Sequence, residues 1–100
     1  MTTPAPEKVI GVAWYDPAQW NLLLRIAADR ADLDQTYSAW ERNALDAERT
    51  IKEAGHEVVR VPVDVAKLAP WCRKKGLPNS SSSRAQYVAQ TMQQSNKAGV

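Results

Sequence analysis

The chain has 100 residues, 44% hydrophobic and 24% charged, which fits one ordinary globular domain rather than two. A single cysteine excludes an internal disulfide, and one histidine with one cysteine cannot complete a zinc site without carboxylates or a second subunit. Net charge is only +2, but residues 1 to 63 hold 7 basic and 10 acidic side chains and residues 64 to 100 hold 6 and 1, so positive charge gathers in the last third.

Residues 1 to 8 are polar and proline-containing, with no apolar stretch after a basic start, and read as a flexible leader. Apolar runs elsewhere span only a few residues, so the expected setting is cytoplasmic and reducing, without a membrane span. The run from Val9 to Tyr15 is apolar and ends at a turn signal, which predicts a buried strand. Asp16-Pro17-Ala18-Gln19 follows at once. Asp16 suits an N-cap, Pro17 the first helical position and Gln19 the reciprocal capping place, so a helix starts at Pro17 with Trp20, Leu23, Leu24 and Ala27 on one face.

Asp32 and Gln35 repeat that pattern. Leu33, Tyr37, Trp40, Ala44, Ala47, Ile51 and Ala54 then recur at helical spacing before Gly55, which predicts one long helix of roughly 33 Å at ~1.5 Å per residue. From His56 to Val63 the pattern alternates, with Val59, Val61 and Val63 on one face. It reads as a strand, and Pro62 argues that the strand ends there or has an open edge. Asp64 caps a helix over Val65 to Lys75 that Gly76 closes, and Pro70 inside it predicts a kink or two short pieces. Asn79 is the expected N-cap of a last helix, firm only from about Ser83 because four serines make a poor first turn.

The expected architecture is therefore α+β in the order β-α-α-β-α-α, with a two-stranded antiparallel sheet packed against helices, one of them long. Residues 9 to 94 form the domain and residues 95 to 100 a disordered tail. The antiparallel expectation rests on two successive helices returning the chain to the end it left. A two-stranded sheet is marginal alone and leaves an edge open, which makes a homodimer or another protein the expected partner.

Candidate chemistry is sparse. Basic neighbours would favour a Cys72 thiolate, yet the only base of the right kind, His56, sits in a helix-end neighbourhood, and Cys72 lies at helical spacing from Leu68 as a core residue would. Asp29, Asp32 and Asp34 lack the pattern of a calcium loop. No cofactor and no metal are expected. Trp71, Arg73, Lys74, Lys75 and Arg84 are the serious candidates, since a helical hairpin at Gly76-Leu77-Pro78-Asn79 would bring these cations together for a phosphate or a nucleic-acid backbone. The competing reading is that cations at a helix C-terminus simply complement its dipole. Trp14 and Tyr15 point to opposite faces of a strand, so at least one of them is free to face a groove or partner, and both are candidate interface residues.

Ala13-Trp14-Tyr15, Trp20, Tyr37, Trp40, Arg60-Val61-Pro62-Val63-Asp64, Trp71-Cys72 and Gly76-Leu77-Pro78-Asn79 with Arg84 form a pattern over residues 9 to about 90. It resembles a group of short uncharacterised bacterial proteins. The resemblance implies bacterial origin and a standalone domain, and it implies no activity or site residues. The expected function is a small non-enzymatic self-association or protein-interaction module. The alternatives are a phosphate or nucleic-acid binder using residues 71 to 84 and a small enzyme with an unrecognised pocket.

Overall fold

The computed structural model describes residues 8–98, with side chains as far as residue 94. The leader expected at residues 1 to 8 falls, apart from Lys8, outside the described residues. So does the end of the tail expected at residues 95 to 100, whose first four residues continue the last helix. In chain order the elements are β1 (Val9–Trp14), α1 (Pro17–Ile26), a 3-10 turn (Arg30–Asp32), α2 (Tyr37–Glu53), β2 (Glu57–Pro62), α3 (Val65–Lys75) and α4 (Ser81–Ala98).

The two strands are parallel, with Val9 opposite Glu57 and Trp14 opposite Pro62, which corrects the antiparallel expectation. That expectation assumed that both intervening helices run along the strand axis. Only α2 does so: α1 packs against α2 and α3 and makes no extended contact with the sheet, so a single helix returns the chain and the next strand points the same way as the first.

Helix starts follow local chemistry where the cap is local. Asp16 accepts the Gln19 N–H at 2.8 Å and Asp64 accepts the Ala66 N–H at 3.0 Å, each satisfying a donor left free by the first turn. Gly76 ends α3 with φ 68°, a left-handed conformation that costs glycine little. Pro70 sits on the exposed side of α3, which runs as one helix.

Two expected starts move. Thr36, not Asp32, caps α2 by accepting the Ala39 N–H at 3.2 Å. The residues before it belong to a loop held from outside, because the Trp20 indole N–H donates to the Asp34 carbonyl at 3.1 Å and Gln35 donates to the Leu33 carbonyl at 2.8 Å. The last helix begins at Ser81 and includes the serines. Ser83 is 2% exposed, and its hydroxyl lies 3.4 Å from that of Ser80.

The sheet divides the molecule into two sides. Side chains alternate along each strand, so Ile10, Val12 and Trp14 share a face with Val58 and Arg60. On that face Arg60 grips the buried Glu48 of α2 through two bonds of 2.7 and 2.8 Å and lies 3.8 Å over the Trp14 ring. On the other face α4 approaches so closely that a Cβ on Gly11 would overlap Met92 Sδ and lie 3.2 Å from Val88 Cγ1.

Around and beyond the strands the core is formed by Tyr15, Trp20 and Leu23, together with Val61, Val63, Val65, Leu68, Cys72 and Val88. We expect Gly11→Ala to destabilise the protein by about 1 kcal/mol, the low end of the overpacking range, because the overlapping atom belongs to the flexible Met92 side chain. Urea denaturation should show a substantially smaller loss when Gly11→Ala is introduced into a Met92→Ala background. An additive pair would mean that the helix does not press on this strand.

Candidate functional site

Glu57 donates its N–H to the Lys8 carbonyl and Val63 donates to the Trp14 carbonyl, both at 3.0 Å. In a parallel ladder alternate residues of each strand face the neighbour, so Val9, Gly11 and Ala13 of β1 and Val58, Arg60 and Pro62 of β2 turn their backbone polar groups outward. Gly11 and Ala13 find no hydrogen-bond partner for those groups among the described residues. Beside them runs a groove of about 400 Å³. Its floor is β1 from Ile10 to Ala13, with Tyr15 at one end, Ile51 of α2 on one wall and Ser81, Arg84, Ala85 and Val88 of α4 on the other.

The residues singled out from the sequence occupy different environments. Arg73, Lys74 and Lys75 are exposed at the C-terminal end of α3 and make no ion pair among the described residues. Lys75 Nζ stands 5.3 Å from the centre of the Trp71 ring. Trp71 itself is half-buried, packed edge-on against Tyr87, and its indole N–H donates to Gln90 at 3.0 Å.

Arg84 does not join the three exposed cations. It is 7% exposed and clasps Asp29 of the loop after α1, with Nη2 to Oδ2 at 2.6 Å, while Nη1 donates to the backbone and side-chain oxygens of Asn79 at 3.0 Å. Asp29 Oδ2 also accepts the Ser81 N–H at 3.2 Å, and the Asn79 carbonyl accepts the Ala28 N–H at 2.8 Å. Arg84 is thus the fastening that ties the α1 loop to the start of α4. Its guanidinium, by hydrogen bonding first and charge second, holds the Asp29 carboxyl below the usual carboxylate range despite the opposing effect of burial.

The remaining candidates are also placed. Tyr15 is 4% exposed, and burial pushes its phenol up to about 12. Trp14 is half-buried, 5.0 Å from Trp40 and beneath Arg60, while Tyr15 packs in the core and closes one end of the groove. Cys72 is 3% exposed inside the core, where burial raises its thiol. His56 lies at the turn between α2 and β2, with a buried Nδ1 that has no partner among the described residues. Asp29 and Asp34 are spoken for separately, by Arg84 and by Asn43 at 3.1 Å, and no group of His, Cys, Asp and Glu among the described residues could hold a metal ion.

Sequence reasoning pointed to an open edge but not to the groove. Ile51, Ala85 and Gly11 read as ordinary apolar positions, and the available signal was the absence of proline and charge from Val9 to Tyr15. No helix of the described residues is long and apolar enough to cross a membrane. Comparison of the chain with known protein families, curated proteins and solved structures finds no match.

Removing Arg84 leaves Asp29 in a confined site without its counter-charge, so Arg84→Ala should cost about 3 kcal/mol in urea denaturation. Because the folded carboxyl of Asp29 titrates below its unfolded value of about 4, its stabilisation is complete above that pH and is lost as pH falls through the lower folded value. Asp29→Asn should therefore lower stability at pH 7 and flatten its fall below about pH 4. Unchanged acid sensitivity would exclude the clasp as its source. Cys72 should resist iodoacetamide at pH 7.5 in the native protein and react in 6 M urea, with mass spectrometry as the readout; rapid native labelling would contradict its burial.

Proposed function

We propose that this protein is a non-enzymatic interaction module that binds protein, a further copy of itself or a different chain, by adding a strand to its small sheet. The single observation behind this reading is the outward backbone of Gly11 and Ala13, unpaired among the described residues, on the floor of an open groove. Backbone donors and acceptors at a sheet edge form a ready template for another extended chain, and side-chain pockets flanking that edge add selectivity. A two-stranded sheet also gains cooperatively from a third strand, being marginal by itself.

A catalytic reading has less support, because Cys72 is buried with a raised thiol and Tyr15 is held in its neutral form.

A second reading rests on the exposed Arg73, Lys74 and Lys75 beside Trp71, which make no ion pair among the described residues. Three exposed cations at one helix end favour a phosphate backbone through a contact that salt weakens, and Arg84 contributes nothing to it because Asp29 neutralises it. Fluorescence anisotropy with a single-stranded oligonucleotide tests this reading. Binding at 20 mM salt that disappears in the Lys74→Glu, Lys75→Glu variant is the supporting result, and no binding at low salt removes it.

For the interaction module, light scattering across concentrations and selection from a displayed library of random peptides provide the test. Self-association, or recovered peptides whose binding is lost when proline replaces both Ala13 and Val58, is the expected outcome. Both positions turn their N–H outward, so proline blocks edge pairing without removing a bond between β1 and β2. A strict monomer that selects no peptide would overturn the reading.

A further inference from the structure

We propose that the edge of β1, and not that of β2, is the receiving edge, and that its occupant is an uncharged extended segment of a different protein. The inference rests on the interaction-module reading and names the site and the partner within it.

The two edges are chemically unequal. At β2 the outward backbone positions include Pro62, which has no N–H to donate, and Arg60, whose long charged side chain leaves the same stretch of strand. Proline and charge are the devices by which sheet edges are made unsuitable for pairing. The β1 edge carries neither from Val9 to Tyr15. Among the described residues its outward N–H and C=O groups at Gly11 and Ala13 remain open, two residues or roughly 7 Å apart, which is the repeat that an added strand satisfies.

The walls state the chemistry of the occupant. Among the described residues Arg84 is the sole charged residue lining the groove, and it is already neutralised by Asp29 at 2.6 Å. A charged side chain entering between Ile51 on one wall and Val88 on the other would lose water without gaining a counter-ion, whereas apolar side chains alternating along a strand would meet these walls in turn. The small Ala85 leaves room on the α4 side. A second copy does not suit this place. Because α4 packs on the same strand through Val88 and Met92, symmetric pairing of two β1 edges would crowd two copies of α4 together on one face of the joint sheet.

The test is an NMR titration of the full chain with a capped heptapeptide of alternating valine and threonine, and with a second peptide in which glutamate replaces threonine. The expected result is that the uncharged peptide shifts the Gly11 and Ala13 amides and slows their hydrogen exchange at least ten-fold, leaving Val58 and Arg60 unaffected. The glutamate peptide should bind at least ten-fold more weakly. Ala13→Pro should abolish the effect, and Ala85→Trp, which fills the groove from α4 without touching the strand backbone, keeps the test valid if the proline variant does not fold. Protection at Val58 and Arg60 would overturn the assignment of the edge while leaving the interaction-module reading intact. No response in either strand would count against both, and equal binding of the two peptides would overturn the neutral occupant.

Discussion

The architecture turns on Trp40. Its ring lies 5.0 Å from Trp14, 5.3 Å from Tyr15 and 5.4 Å from both Trp20 and Tyr37, so the end of β1, the start of α1 and the first turns of α2 meet on one indole. Aromatic pairs at these separations add directional attraction to their large buried area. In a chain without phenylalanine this cluster supplies the aromatic bulk of a core otherwise built mainly of valine and leucine. It also holds α1 at the ends of the strands, away from the sheet. With α1 set aside, α2 alone carries the chain back, and the strands become parallel.

That arrangement explains the groove. Parallel sheets are normally covered on both faces, and here α2 and α4 take opposite faces of a sheet only two strands wide. Residues of both helices wall the margin of so narrow a sheet, and the backbone of β1 lies between them with its outward groups unpaired among the described residues. Gly11 permits the close approach of α4 that forms one wall. The open edge is thus a consequence of building a parallel unit from the smallest number of strands.

The charges separate into internal and external sets. Arg84 and Arg60 fasten elements distant in sequence, to Asp29 and to Glu48, and a buried or half-buried pair of this kind confers geometry more than net stability. Arg73, Lys74 and Lys75 stay in water at the end of α3, where the helix dipole already favours them. A run of cations in a sequence therefore says little about a surface until the acidic partners are known. Here the partner of Arg84 lies 55 residues away.

The sequence by itself determined what depends on neighbours within about one helical turn: the caps at Asp16 and Asp64, the left-handed stop at Gly76 and the alternating strand around Val61. These are set by hydrogen bonds and side-chain periodicity inside a few residues, which any reader of the chain can count. Tertiary structure decided the rest. Thr36 rather than Asp32 starts α2 because Trp20 holds the Asp34 carbonyl from another element. The strands run parallel because α1 packs sideways on α2 and α3, a choice made by aromatic contacts that no periodicity records. Arg84 became a buried fastening, and Gly11, Ala13, Ile51 and Ala85 became a groove, because contacts between distant segments leave no local pattern in the sequence that forms them.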